Sequence, residues 1–224
     1  MKRIISLWLA ALMLTAQPIQ AAVCVGFGQG AGGSGTLVLD DTLYEASSIS
    51  IDTHTVAPGP GGAWYNHATA TANVSTGGAL SNSTATSMPY NAITPFADGY
   101  VVVEGVTNST LRAFGPSIRW DGASVNGYVV MLIGDGTLTL SRITGGSPTA
   151  IGTPGSCGTH SITTTYEVTI TASGTTISAS AREPGGEVLC TTSATDATYS
   201  SGVVGMRMIN TAPRVTSIKA YSND

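Results

Sequence analysis

Four residues near the middle of the chain carry side chains that could bind a sugar. Arg119, Trp120 and Asp121 are consecutive, and Tyr128 lies on the following strand-like run. A tryptophan ring offers a flat face for stacking, and a planar guanidinium beside a carboxylate offers bidentate hydrogen bonds. A second interpretation places Trp120 in the protein core and pairs Arg119 with Asp121 or another carboxylate. The first interpretation makes these four residues the candidate ligand-binding site.

Residues that could act in catalysis form no recognisable pattern. A retaining glycanase needs two carboxylates about 5–5.5 Å apart, which on one strand means acidic residues at alternating positions. The acidic residues are scattered singly, and the side chains of the doublet Asp40-Asp41 point to opposite faces of a strand. His54, His67 and His160 lie in loop-like sequence with no nucleophile or carboxylate at a recognisable spacing. The sequence therefore predicts no catalytic residue and a protein that is not an enzyme.

The composition favours a single all-β domain as the framework for these side chains. The chain has 224 residues, of which 10% are charged and 42% are hydrophobic, with 28 glycines. A chain of this length can bury about 70% of its unfolded surface in one core. Low charge at this apolar content argues against disorder, and abundant threonine and turn residues argue against a helical protein.

Strand-like runs separated by turn residues fill the chain from Thr36 onward. Apolar and polar residues alternate over 166–172 and over 176–182, and a turn leads on to 187–190, which predicts a three-stranded meander. The unbroken apolar run 129–133 predicts a central strand that is covered on both faces. Short strands with one polar face can bury their apolar faces by packing two sheets together. The prediction is an antiparallel two-sheet β-sandwich.

Residues 1–22 have the order of a secretory signal peptide. Two basic residues precede an apolar run at 4–16, and small residues follow before position 23. A membrane anchor needs about 20 apolar residues, more than this run provides. The glycine-rich residues 23–35 are interpreted as a flexible tether, and the domain is predicted to span 36–224. We expect a secreted, extracellular or cell-surface protein, or a periplasmic one, with no membrane insertion after signal removal.

Three cysteines allow one disulfide bond with one thiol left over. Export permits disulfides, and Cys157 and Cys190 bracket a run of strands, so these two form the predicted pair. Closing this loop would stabilise the fold by about 3–4 kcal/mol on the chain-entropy model. The alternative keeps both thiols reduced as small apolar side chains. Cys24 would be free, buried or available to another chain.

The charge balance excludes two classes of partner. The formal net charge is −4, and it becomes −6 after removal of Lys2 and Arg3, because 7 basic residues then face 13 acidic ones. Without a basic cluster, the chain lacks the positive charge that binds phosphate, which excludes nucleic acid. Anionic membrane surfaces are excluded for the same reason.

Several loose motifs follow one another in a characteristic order over about residues 36–222. They lie at 39–42, 61–67, 126–130 with 136–143, 166–170 with 176–179, and 201–207. This series resembles the concanavalin A-like, laminin-G-like jelly-roll domains of extracellular bacterial proteins and phage virion proteins. The resemblance implies a jelly-roll β-sandwich. It leaves function open, because this fold hosts lectins, glycanases, lyases and structural modules.

The resemblance also bears on catalysis and metal binding. The Glu-x-Asp-x-Glu pattern of the family's glycanases is absent, as are the Arg-rich strand and Gln-x-His element of its alginate lyases. Some members bind Ca²⁺ through a carboxylate and backbone carbonyls, and Asp40, Asp41 or Asp224 could supply such an oxygen. No loop clusters its carboxylates, so we predict no metal ligand and no cofactor, with structural Ca²⁺ as the open alternative.

The functional hypotheses fall into three classes. The first is an exported, non-catalytic binding or adhesion module that recognises extracellular glycan or a surface protein. The alternative is a structural protein, such as a phage tail or decoration component, that self-assembles through a nearly lysine-free, threonine-rich surface. The third is a glycan-active hydrolase or lyase of the same fold, against which the missing carboxylate pair argues.

Overall fold

The computed structural model describes residues 35–67, 71–81, 86–122, 124–211 and 213–224. Within these residues the chain is built from short strands, with one 3₁₀ turn at Ile51–Thr53. The strands are β1 (Thr36–Asp41), β2 (Ile49–Ser50), β3 (Trp64–Tyr65), β4 (Ala72–Ser75), β5 (Gly78–Ser81), β6 (Thr86–Ser87), β7 (Tyr90–Phe96), β8 (Gly99–Val106), β9 (Ala113–Trp120), β10 (Gly127–Ile133), β11 (Thr137–Thr144), β12 (Ser147–Ala150), β13 (Gly155–Ser156), β14 (Tyr166–Ser173), β15 (Thr176–Arg182), β16 (Val188–Thr195), β17 (Gly202–Ile209) and β18 (Arg214–Ser222).

The strands form two antiparallel sheets. The first sheet has the order β16-β15-β14-β8-β18-β5-β4-β2, and β1 also pairs with β18. The second sheet has the order β12-β11-β10-β9-β17-β7-β3, with β13 paired to β11 and β6 paired to β17. The predicted fold class, an antiparallel two-sheet jelly-roll β-sandwich, is confirmed.

Side chains from the inner faces of the two sheets form the main core. On β14, every second residue from Tyr166 to Ala172 is buried, and the residues between them are partly exposed. This alternation follows from the two-residue period of a strand, which sends successive side chains to opposite faces. Each fully buried aliphatic side chain contributes roughly 1.5–3 kcal/mol, so this core dominates the free energy of unfolding.

A second apolar cluster lies on the other face of the second sheet, which we call the outer face. It contains Met88, Ala113, Trp120, Val125, Val129, Met131 and Ile143. Val130 and Leu132 of β10 belong to the main core, whereas Val129 and Met131 belong to the outer face. Strand β10 is therefore buried on both faces, as its unbroken apolar run predicts.

A disulfide bond joins Cys157 to Cys190, 33 residues apart in sequence. Cys157 directly follows β13 of the second sheet, and Cys190 lies on β16 of the first sheet. The bond therefore connects the two sheets covalently, and the predicted pairing is confirmed.

Residues 1–34 lie outside the described part of the chain. The predicted signal peptide, nearly all of the predicted tether and Cys24 fall in this segment and stay predictions. No helix among the described residues is long and apolar enough to cross a lipid bilayer.

Candidate functional site

The structure does not bring the four predicted site residues together on one face. Ile118 of β9 belongs to the main core, and strict alternation would also send Trp120 there. A left-handed backbone conformation at Arg119, with φ of 53°, interrupts that alternation. Trp120 consequently joins the outer-face cluster, while Tyr128 of the next strand belongs to the main core.

Arg119 is 3% exposed and is fully engaged by the protein. Its Nε donates to the carbonyl of Ala97 at 2.8 Å, and its Nη1 donates to the carbonyl of Tyr199 at 3.0 Å. Its Nη2 donates to Asp98 Oδ1 at 3.0 Å and to the carbonyl of Gly174 at 2.7 Å. The guanidinium therefore ties together three chain segments from both sheets, and these contacts are structural.

Tyr128 is fully buried, and its hydroxyl donates to Asp196 Oδ1 at 2.7 Å. The Thr198 amide also donates to Asp196 Oδ1, at 2.8 Å, and Arg142 Nη1 donates to Asp196 Oδ2 at 2.7 Å. Burial alone would raise the pKa of Asp196, but the hydrogen bonds from Thr198 and Tyr128 and the charge of Arg142 outweigh it and lower that pKa to about 2.

Asp121 lies in the loop after β9 and is exposed. Its carboxylate accepts hydrogen bonds from the amide of Ser124 at 3.0 Å, and from the amide and the side chain of Asn126 at 3.2 and 2.8 Å. These bonds fix the turn between β9 and β10. Of the four predicted residues, Trp120 alone lies on the outer face, and ligand binding by the set stays a prediction.

Strand registers place the outer-face residues in rows across the second sheet. One row contains Ser141, Val129, Ser117, Gly205, Tyr90 and Tyr65, and the next contains the pairs Thr139–Met131 and Gly115–Arg207. Gly115, Ser117 and Gly205, in the middle of these rows, are small and buried. The side chains on either flank are larger, with Met131 on one side and Tyr90 on the other.

An aromatic pair stands at the edge of the outer face. Tyr65 and Tyr90 are stacked, with ring centroids 5.3 Å apart and planes 19° from parallel. Tyr65 is 45% exposed, although its neighbour Trp64 is buried in the main core. An exposed tyrosine held in place by a second ring offers a rigid apolar surface with a hydroxyl at its edge, which suits stacking against a sugar.

Two buried N–H donors on the outer face have no hydrogen-bond partner in the described part of the chain. They are the indole Nε1 of Trp120, whose residue is 2% exposed, and Nε of Arg207, whose residue is 9% exposed. Buried polar groups in proteins are nearly always paired, and each unpaired one costs about 1–3 kcal/mol.

A separate network of polar groups lies at the end of the main core near β1. Asp41 is fully buried, and its carboxylate accepts from Trp64 Nε1 at 2.7 Å and from the Leu43 amide at 2.9 Å. His54 lies between two acidic residues, with Nε2 2.9 Å from Asp41 Oδ1 and Nδ1 2.7 Å from Glu45 Oε1. Burial disfavours the charged imidazole, but the hydrogen bonds and charges of Asp41 and Glu45 outweigh burial and raise the pKa of His54.

The sequence does not reveal this network, because Glu45 and Asp41 stand 9 and 13 residues before His54. The inward orientation of Asp41 does follow from alternation along β1, with Asp40 outward and 3.7 Å from Lys219 Nζ. Each group in the network has its partners inside the protein, so we assign it a structural role.

The acidic residues considered for calcium are also engaged by the protein. Asp41 belongs to the buried network, Asp40 lies beside Lys219, and Asp224 accepts hydrogen bonds from the backbone amides of Ala97 and Asp98. Among the described residues, no group of three or more His, Cys, Asp or Glu side chains is arranged to hold a metal ion.

A groove of about 550 Å³ on the first sheet is a further candidate surface. Hydroxyl-bearing residues line it, including Thr171, Ser178, Ser180, Thr191 and Ser193. No aromatic side chain lines this groove, and therefore it offers a sugar no stacking surface. The outer face of the second sheet is thus the stronger candidate.

Comparisons with known proteins identify the fold. No family model matches the chain, and no curated protein matches it. Among solved structures, the carbohydrate binding module CBM66 from Bacillus subtilis matches with a TM-score of 0.58 and 12% identity, over 80% of this chain and 98% of the module. The exoplasmic/lumenal domain of VIP36, in a form bound to Ca²⁺ and Man3GlcNAc, matches with a TM-score of 0.54 and 10% identity, over 72% and 84%.

An enzyme appears among the structural neighbours as well. The apo Crh5 transglycosylase matches with a TM-score of 0.50 and 13% identity, over 85% of this chain and 89% of the enzyme. Identities this low show a shared fold and no shared activity. The chain thus shares the two-sheet β-sandwich fold of these proteins.

Proposed function

We propose that this protein is a non-catalytic glycan-binding module that acts outside the cell and holds its ligand on the outer face of the second sheet. One observation carries the proposal: the exposed Tyr65–Tyr90 stack shares this face with two buried N–H donors that have no hydrogen-bond partner among the described residues. Stacking rings combined with a few convergent polar groups are the usual composition of a sugar site. The carbohydrate-binding neighbours CBM66 and VIP36 support the same class of ligand.

The absence of acidic residues from the second sheet supports a non-catalytic role. None of its described strands contains an aspartate or a glutamate. Canonical glycosidases need a pair of carboxylates flanking the scissile bond. A ligand on the outer face would therefore meet no acid–base pair from the strands beneath it.

Glycan-array binding of the purified protein tests the proposal, with Tyr65→Ala as the site variant. Losing about 1.4 kcal/mol of stacking corresponds to about tenfold weaker binding. Tyr44→Ala is the matched control, because Tyr44 is 59% exposed and bridges to Ser75 of the first sheet. We expect the control to bind as the unmodified protein does. A folded protein that binds no glycan would overturn the proposal and favour the assembly role, which sedimentation would reveal as self-association.

A further inference from the structure

Arg207 is a buried charge, and no described residue forms a hydrogen bond with its Nε or an ion pair with it. It lies on β17 between Met206 and Met208, which belong to the main core, so its side chain projects to the outer face. The residue is 9% exposed, and its Nε has no hydrogen-bond partner. None of the ion pairs among the described residues involves Arg207.

Burial of an unpaired guanidinium is unfavourable. Arginine carries five N–H donors and no acceptor, and it stays protonated in proteins. Burial lowers the pKa of Arg207, because the surroundings disfavour the charged form. Buried charges in proteins are normally paired, and no ion pair among the described residues involves Arg207.

The second sheet supplies no negative charge to Arg207. The residue paired with it on β9 is Gly115, which has no side chain to offer. No strand of the second sheet within the described residues contains a carboxylate. The complementary charge must therefore come from a group outside this sheet, and an incoming ligand can provide it.

We propose that Arg207 binds an oxyanion substituent of an acidic glycan, a carboxylate or a sulfate ester, on the outer face. This inference rests on the proposed function and names the class of sugar that the face selects. The planar fork of a guanidinium matches a carboxylate through two parallel hydrogen bonds. The net charge of −4 gives no general attraction for anions, so recognition depends on this one contact.

Trp120 adds a second donor on the same face. Trp120 pairs with Val203, four residues before Arg207 on β17, which puts the two positions about 13 Å apart at a rise of about 3.3 Å per residue. A ligand that reaches both donors is an oligosaccharide rather than a single sugar.

Calorimetric titration with paired oligosaccharides tests the inference. One pair of probes is an oligogalacturonate and its neutral methyl ester. The other pair is a sulfated dextran oligomer and the unsulfated dextran oligomer. We expect an acidic probe to bind about 10- to 100-fold more tightly than its neutral match. Comparing the affinity for the carboxylate probe with that for the sulfate probe shows which of the two anions Arg207 binds. The preference should disappear in Arg207→Met and persist in Arg214→Met, a control at an exposed arginine of the first sheet.

The outcomes separate this inference from the proposed function. Equal binding of acidic and neutral probes, lost in Tyr65→Ala but unchanged in Arg207→Met, would overturn the inference and leave the proposed function standing. A folded protein that binds none of the four probes overturns the inference, and the glycan array then decides the proposed function. Thermal unfolding of Arg207→Met establishes that the variant is folded.

Discussion

Two arginines of this domain are buried to a similar degree and differ completely in what they contact. Arg119 is 3% exposed and makes four hydrogen bonds, one of them to the carboxylate of Asp98. Arg207 is 9% exposed, and its Nε has no partner. Burial alone therefore does not reveal the role of a charged side chain. The two residues differ in the number of partners that the described part of the chain gives them.

Two tryptophans repeat the contrast. Trp64 is 1% exposed, and its indole N–H donates to Asp41 Oδ2 at 2.7 Å. Trp120 is 2% exposed, and its indole N–H has no hydrogen-bond partner in the part of the chain that the structure describes. In both pairs the satisfied side chain serves the framework and the unsatisfied one lies on the outer face. Arg119 and Trp64 donate hydrogen bonds to other protein groups, whereas donors of Arg207 and Trp120 on the outer face have no acceptor among the described residues.

The largest expected effect is the loss of the Arg119 contacts. Arg119→Met leaves three carbonyls and the Asp98 carboxylate without their donor, so the free energy of unfolding should fall by about 3 kcal/mol. Urea unfolding followed by fluorescence measures the change. Arg182→Met is the control, because Arg182 makes one partly exposed ion pair, with Glu167, and is therefore expected to cost less than Arg119. Equal effects at the two positions would remove the contrast.

The tryptophan pair should differ by less. Trp64→Phe removes the donor to the buried Asp41 carboxylate, which should cost about 1–3 kcal/mol beyond the loss of ring area. Trp120→Phe also loses ring area but removes no hydrogen bond to the described residues. Its loss in free energy of unfolding should therefore be smaller than that of Trp64→Phe by about 1–3 kcal/mol. Comparing the two urea midpoints tests the difference. If Trp120→Phe is the more destabilising variant, its indole N–H has a structural partner after all.

Arg207→Met should change stability in the opposite direction to Arg119→Met. Replacing an unpaired buried charge by an apolar side chain of similar length removes a desolvation cost, so the free energy of unfolding should rise by about 1 kcal/mol. Thermal and urea unfolding of the ligand-free protein measure this change. A clear loss of stability would show that Arg207 belongs to the framework. Residues that serve binding commonly lower the stability of the free protein, and replacing Arg207 should recover that free energy of unfolding.

The smallest expected effect is a dependence on pH in the His54 network. The pKa of His54 is raised in the folded state, so its contribution to stability is fully present below the unfolded pKa of about 6.5. That contribution is lost as pH rises through the folded pKa. The urea midpoint should therefore be lower at pH 9 than at pH 6, and His54→Gln should reduce this difference. A difference that persists in the variant would place the titration elsewhere.

The sequence predicts the features that depend on local pattern. Alternation over 166–172 predicts β14 and its buried face, and the apolar run 129–133 predicts a strand covered twice. Both follow because the two-residue period of a strand is set by the backbone and does not depend on distant residues. The pairing of Cys157 with Cys190 also follows from position, because both flank the same run of strands.

The site depends on information that local pattern does not contain. The outward orientation of Trp120 depends on one left-handed residue, and a positive φ at a non-glycine residue leaves no mark in the sequence. His54 meets Asp41 and Glu45 because a loop returns to β1, which periodicity does not encode. Arg207 did carry a signal. It is a charged residue inside the otherwise apolar run 203–209, where a fully structural strand would have no use for it.

The left-handed conformation of Arg119 determines which residues the two sides of β9 display. The positive φ of Arg119 changes the direction of the last two side chains of β9. Arg119 then hydrogen-bonds to neighbouring segments, and Trp120 lies on the outer face. The face on which Trp120 lies is therefore set by backbone geometry and not by the hydrophobic pattern of β9. In evolutionary terms, such a position lets a stable sandwich acquire a new surface by altering backbone geometry, while its hydrophobic pattern stays intact.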